Sequence, residues 1–332
     1  MLLESIQAAA LALLAFSPAL WAQGAADFPQ AEIASSQIRA RIYLPDATRG
    51  YYRATRFDWS GAIANLEFKG HNYFGVWFPT YDPKLHDSVT GPVEEFRTGD
   101  SALGYDEAKP GQTFIRIGVG LLRKPEEPRF QQFKTYEIAD PGKWTVNAAR
   151  DSVEFTHELT DPSSGYAYLY RKTVRLVKDA PQMAIEHSLK NTGKKTIETN
   201  VYNHEFFVID GQPTGPDFVV RFPFDLKADR DLSPLAAIRG KELVYLQELQ
   251  PGRQSVFAQL SGFGGEPKDF DIRVENRKAG AGVRVTGDQP LWKIMFWSIR
   301  TTVCPEAYVN MKVEPGREAH WRLLYDFYTL SQ

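Results

Sequence analysis

The chain has 332 residues, with 39 Lys and Arg against 41 Asp and Glu and a formal net charge of −2. No basic excess exists to draw in a polyanion, which excludes nucleic acid as an expected partner. A composition of 43% hydrophobic and 13% aromatic residues suits a packed core rich in strands, and length does not demand two domains, because one all-β domain can run past about 200 residues.

The first element is an apolar stretch from Ile6 to Trp21, broken by Ser17-Pro18 and followed by Ala22-Gln23-Gly24. It is too short and too interrupted to read as an integral membrane span. It reads instead as an export signal over residues 1–22, with Ala22 before the cut, although Glu4 stands where a Lys or Arg is usual. The expected mature chain, residues 23–332, is one β-sandwich domain placed in the periplasm or secreted. No Cys follows the apolar stretch, so a bacterial lipoprotein anchor is excluded. The lone cysteine, Cys304, can form no internal disulfide and reads as a small buried hydrophobe.

Strand follows strand in the mature chain. Ile38 to Leu44, Ala62 to Phe68 and Phe114 to Leu121 come first. Lys134 to Ile138, Trp144 to Ala148 and Ser152 to His157 continue the series. Tyr166 to Leu176 and Met183 to Leu189 flank the turn Lys178-Asp179-Ala180-Pro181, and Asn191-Thr192-Gly193 leads into Thr196 to Phe207. In the last strand, Ala319 to Tyr328, the residues Ala319, Trp321, Leu323, Tyr325 and Phe327 share one face, while His320, Arg322 and Asp326 take the other. With no amphipathic helix of useful length, this predicts an all-β fold, a large antiparallel β-sandwich. The stretch from Pro79 to Gly111 has no clear periodicity and is expected to be a site-building loop region.

Two ionisable residues stand out within or beside strand-like stretches: His204 in NVYNHEFF and Glu306 in TTVCPEAYVNMKVEPG. Brought together on one face, they could serve as general acid and general base. The bland alternatives are a satisfied strand-end histidine and a solvated carboxylate. His157 and His187 read as structural, and His320 as solvent-facing. Arg56 and Asp58 in TRFDWSG either line a cleft or pair with each other. No phosphate loop, zinc-spaced cluster or serine elbow is evident.

Three segments carry a family resemblance. MAIEHSLKNTGKKTIETNVYNHEFFVIDG, CPEAYVNMKVEPG and HWRLLYDFYTL resemble segments of the galactose mutarotase-like superfamily, which includes aldose 1-epimerases and hexose-6-phosphate 1-epimerases. TRFDWSGAIANLEFKGHNYFG resembles its opening strands more loosely. The resemblance implies a large antiparallel sandwich with a sugar cleft on one sheet, acting on an aldose or oligosaccharide with no metal or organic cofactor. Glu306 would take the proton from the C1 hydroxyl, and His204, near its neutral pKa, would protonate the ring oxygen.

Asn203, Arg56, His71, His86 and Arg116 are the candidates for sugar contacts. His71 in KGHNYF and His86 in KLHDS stand in for the Leu-His-Gly-Gly histidine of the aldose 1-epimerases, a motif this chain lacks. The phosphate-holding arginine contexts of the hexose-phosphate enzymes are missing too. Glu94, Glu95, Arg116 and Arg123 are therefore expected to reshape the cleft. The second functional class is a non-catalytic carbohydrate-binding protein of the same fold, acting in polysaccharide processing. The oligomeric state has no signature here.

The export reading has a direct check. Mass spectrometry of the protein from its host should find a mature N-terminus near Gln23. An intact N-terminus in a cytosolic fraction would overturn it.

Overall fold

A computed structural model describes residues 28–252 and 254–331; the export segment read at residues 1–22 lies outside the described residues. Every strand pairing among them is antiparallel. The one helical element described is a 3-10 turn at Pro267–Asp269. Among the described residues, no helix is long and apolar enough to cross a membrane.

Two large sheets make the sandwich. The ten-stranded sheet runs, edge to edge, through Ala236–Arg239, Glu242–Tyr245, Phe218–Arg221, Asp271–Asn276, Ala281–Gly287, Glu318–Thr329, Gln182–Asn191, Ala167–Leu176, Ser152–Thr160 and Lys143–Ala148. The six-stranded sheet runs through Lys227–Ala228, Val256–Ser261, Lys293–Ile299, Thr302–Val313, Ile197–His204 and Val93–Arg97. Their facing sides share one core. Phe96 of the smaller sheet packs edge-on against Tyr170 at 5.4 Å and Trp321 at 6.1 Å of the larger, and the Tyr245 hydroxyl reaches Ser298 Oγ at 2.8 Å. A four-stranded sheet (Gln30–Ala34, Ile38–Tyr43, Ile63–Phe68, His71–Asn72) and a three-stranded one (Thr113–Arg116, Gly120–Arg123, Ile138–Asp140) complete the described strands.

The alternation of the last strand holds: Trp321, Leu323, Tyr325 and Phe327 are buried. Three expectations are corrected. Lys134 to Ile138 is not a strand; only Ile138 belongs to one, Ile138–Asp140. Phe114 to Leu121 is two strands of a hairpin, because Gly118 and Gly120 take φ of +79° and +148°, where only glycine is at ease. A Cβ on Gly118 would also lie 2.6 Å from Asp58 Oδ1. The Pro79 to Gly111 stretch contains the strand Val93–Arg97, which closes one edge of the six-stranded sheet. Eight strands between Phe218 and Ile299 had no sequence reading. Four of them have only two to four residues, whereas Val256–Ser261 and Lys293–Ile299 alternate and were legible.

A charged cluster is sealed between the sheets. Lys172, 0% exposed, donates to Ser60 O at 2.8 Å and to Glu94 Oε2, and its Nζ lies 3.8 Å from Asp58 Oδ2. Glu94 Oε1 meets His187 Nε2 at 2.8 Å and accepts from Asn203 Nδ2 at 3.2 Å. Asp58 accepts from Ser60 and from the Tyr170 hydroxyl at 3.1 Å. Arg56 and Asp58 thus neither pair with each other nor line one cleft, since Asp58 turns inward. Burial raises the Asp58 carboxyl, and Lys172 only partly offsets that. Burial would raise Glu94 as well, but Lys172 and His187 outweigh it and hold it low.

Removing one partner from such a cluster leaves an uncompensated buried charge. Lys172→Met should therefore destabilise the protein by about 3–5 kcal/mol, read as a lower Tm and denaturation midpoint. Adding Glu94→Gln should recover part of the loss. A single-variant cost under about 1 kcal/mol would show that water reaches the cluster.

Candidate functional site

The site lies on the outer face of the six-stranded sheet, and strand alternation builds it. In Ile197–His204 the even residues Asn200, Tyr202 and His204 face outward, while Ile197 and Val201 enter the core. In Thr302–Val313 the outward set is Cys304, Glu306, Tyr308 and Asn310, opposite the core residues Val303, Ala307 and Val309. Register then brings the chemistry together. Tyr202 pairs with Tyr308 on one side and with Glu95 on the other, Met295 with Glu306, and Lys293 with Tyr308. Two residues beyond the Tyr202–Tyr308 pair, His204 and Glu306 fall opposite each other, with Nε2 and Oε1 3.2 Å apart.

Both are almost fully enclosed, His204 at 3% and Glu306 at 6% exposure. The His204 ring stacks on Phe206 at 3.7 Å and meets Trp297 and Phe57 edge-on at 5.4 and 5.7 Å. Phe206 has φ of +42°, a strained backbone for a bulky residue that its packing must hold in place. Glu306 Oε2 accepts from the Tyr308 hydroxyl at 3.2 Å, while His204 Nδ1 is buried without a partner. Burial pushes the imidazole well below its usual value, and Arg56 adds to this. The expectation of a histidine near its neutral pKa is thus corrected. Burial pushes the Glu306 carboxyl up to about 7, against the opposing pull of Arg56. Glu306, not His204, is the member of the pair that titrates near neutrality.

The cleft around them has a volume of about 430 Å³ and is walled by Arg56, His86, Asp87, Gln132 and Phe133. The Arg56 Nε donates to Glu95 Oε2 at 2.9 Å and its Nη1 to Asp87 Oδ1 at 3.0 Å. His86 Nε2 lies 3.1 Å from Asp87 Oδ2. Beneath the floor, Glu95 accepts from Arg116 Nη2 at 3.1 Å, Gln132 Nε2 at 3.0 Å and the Tyr202 hydroxyl at 2.5 Å. Burial would raise Glu95, but Arg56, Arg116 and Arg97 outweigh it and hold it at about 2.

The structure therefore brings together His204, Glu306, Arg56 and His86. Asn203 and Arg116 do not line the cleft. Asn203 faces the sandwich interior, where it donates to Glu94, and Arg116 sits behind Glu95. His71 is on another sheet, with Nδ1 2.7 Å from Asp210 Oδ2. Arg123 pairs with the exposed Glu137 at 3.0 Å. Sequence reasoning missed Tyr202, Tyr308, Asp87, Arg97, Gln132, Lys293 and Trp297. The two tyrosines were accessible, because each stands two residues from His204 or Glu306 in a strand. Lys293 and Trp297 lie on a strand that had no sequence reading. Among the described residues, no cluster of three or more His, Cys, Asp or Glu is placed to hold a metal ion.

Comparison with known proteins finds no matching family model and no matching curated protein. Solved structures do match over most of the chain. A galactose mutarotase-like protein from Clostridium acetobutylicum is 14% identical, with a TM-score of 0.56 over 90% of this chain and 95% of its own. An aldose epimerase homologue from C. elegans is 15% identical, with a TM-score of 0.51 over 92% and 100%. A galactose mutarotase related enzyme from Lactobacillus acidophilus is 11% identical, with a TM-score of 0.53 over 91% and 98%. At such identities the likeness is one of fold, and the fold is the galactose mutarotase-like β-sandwich.

The raised Glu306 carboxyl has a thermodynamic consequence. Its folded pKa of about 7 lies above the ordinary 4.5, so the fold favours the protonated form. Its contribution to stability is fully present below about 4.5 and is lost as pH rises through about 7. Glutamine does not titrate. The Tm of Glu306→Gln relative to the native protein should therefore climb between pH 4.5 and pH 8. A difference that stays flat across this window would mean the carboxyl is solvated.

Proposed function

We propose that the protein is an exported aldose 1-epimerase-like enzyme that interconverts sugar anomers with His204 and Glu306 as its acid–base pair. The supporting observation is their 3.2 Å contact on the floor of a cleft, with Glu306 poised near pH 7. The hydroxyl oxygen and the ring oxygen of a pyranose are both bonded to C1, so two groups side by side can reach both. Below about pH 7 the resting pair holds its proton on Glu306, with the imidazole neutral. Moving it across the contact creates the carboxylate base and the imidazolium acid together, with no change in net charge.

The steps then balance. The Glu306 carboxylate takes the C1 hydroxyl proton, the C1–O1 bond becomes a carbonyl, and the C1–ring oxygen bond breaks. Its electron pair goes to the ring oxygen, which takes the proton from His204. Rotation about C1–C2 and reversal of the steps give the other anomer. In this reading Arg56, His86 and Asp87 would contact ring hydroxyls, and the ionised Glu95 beneath holds Arg56 and Tyr202 still. Export rests on the apolar stretch Ile6 to Trp21 and places the reaction in the periplasm or outside the cell.

The second reading, a non-catalytic sugar-binding protein, is favoured by two observations. The pair is closed on itself in direct contact, and no histidine in a Leu-His-Gly-Gly context is present.

Anomer exchange followed by NMR over a panel of aldoses and uronic acids separates the two. Glu306→Gln and His204→Asn should each lower the exchange rate on the order of 10²-fold or more. The double variant should lose little beyond the worse single one, because residues acting as a unit are not additive. A native protein that binds a sugar yet accelerates exchange of none would leave the binding-protein reading standing alone.

A further inference from the structure

The outer face of the six-stranded sheet continues past the acid–base cleft. Two residues before Tyr202 and two after Tyr308, alternation places Asn200 and Asn310 on the same face. Asn200 pairs in register with Asn310 on one side and Arg97 on the other. With Trp292 and Met311 they line a second cavity of about 310 Å³, which shares Arg97 with the first. Nothing in the anomer-exchange chemistry uses this cavity.

Two residues that line it carry buried polar atoms without a partner. Asn200 Oδ1 is one, on a residue only 4% exposed, and Arg97 Nε is the other. Leaving such an atom unpaired is unfavourable, and a ligand towards which these side chains turn could relieve the penalty. One atom is an acceptor and the other a donor, on adjacent strands. A hydroxyl both donates and accepts, so a sugar hydroxyl or vicinal pair could satisfy both. A phosphate or ionised carboxylate only accepts and would leave Asn200 Oδ1 unpaired. At the rim Trp292 is 48% exposed, its ring 6.4 Å from Tyr308 at an interplanar angle of 61°. A half-exposed indole beside a polar cavity offers a flat face for the C–H side of a pyranose ring.

We propose that this cavity is a second sugar subsite, so that the protein takes a glycan of at least two units. Its reducing-end unit would lie over His204 and Glu306, and a ring further along the glycan against Trp292, with hydroxyls on Asn200 and Arg97. The inference rests on the reading of the first cleft as a sugar site.

Calorimetric titration of the folded protein tests it. The probes are glucose, xylose and galacturonic acid, alongside maltotriose, cellotriose, xylotriose and trigalacturonic acid. In at least one series the trisaccharide should bind on the order of tenfold tighter than its monosaccharide. Trp292→Ala and Asn200→Ala should each collapse that ratio towards one. Asn200→Ala should do so without lowering Tm, because it removes an unpaired acceptor rather than a bond. A monosaccharide that binds while no trisaccharide binds tighter overturns the second subsite and leaves the first reading intact. So does an affinity ratio that survives both substitutions. Trisaccharides held through Trp292 without accelerated anomer exchange support the subsite and overturn only the catalytic reading. Binding of no probe overturns both.

Discussion

The structure turns on two adjacent carboxylates in the edge strand Val93–Arg97. Successive side chains of a strand point to opposite faces, so Glu94 and Glu95 are driven to opposite sides of the six-stranded sheet, and both are fully buried. Glu94 enters the sandwich and meets Lys172 and His187, both on strands of the ten-stranded sheet. Glu95 goes outward beneath the cleft, where Arg56, Arg116, Gln132 and Tyr202 converge on it. One short strand therefore joins the two sheets by charge and also anchors the wall and floor of the site. A buried anion is tolerable only when paired and hydrogen-bonded, and each of these is surrounded by donors.

That arrangement sets the electrostatics of the acid–base pair. Burial is the largest influence on both His204 and Glu306, and it favours the neutral form of each. It moves their pKa values towards and past one another, the imidazole down and the carboxyl up. Arg56 and Glu95 act on the same two groups with opposite signs, and because they bind each other their effects partly cancel. What remains is an enclosed pair in which burial favours the neutral imidazole and the protonated carboxyl. The aromatic shell of Phe206, Trp297 and Phe57 maintains the low-polarity surroundings on which this depends.

The face that carries the pair continues well past it. Asn200, Tyr202 and His204 form one column, Asn310, Tyr308 and Glu306 the next, and Arg97 and Lys293 flank them. Strand spacing makes such a face a regular array. The unpaired polar atoms lie along this array, at His204, Asn200 and Arg97.

Period-two alternation was enough to identify the fold class, because it depends only on each strand's own residues. His204 and Glu306 were legible as lying in or beside strand-like stretches, and alternation could have put Tyr202 and Tyr308 on their faces. It failed for Phe114 to Leu121, where two glycines at positive φ fold one apolar stretch into a hairpin. It found none of the strands between Phe218 and Ile299, half of which have only two to four residues. Pairing was beyond its reach altogether. Glu95 meets Arg56, 39 positions away, and Tyr202, 107 positions away, through contacts that no local pattern encodes. His71 and Asn203 looked like site residues from their neighbours in sequence, yet one belongs to another sheet and the other faces the opposite side of its strand. What the sequence by itself determined was the all-β class and the residues with the chemistry to act. Which of those residues meet, and which form each holds its proton in, only the tertiary structure decided, because burial and register are properties of strands brought together from distant parts of the chain.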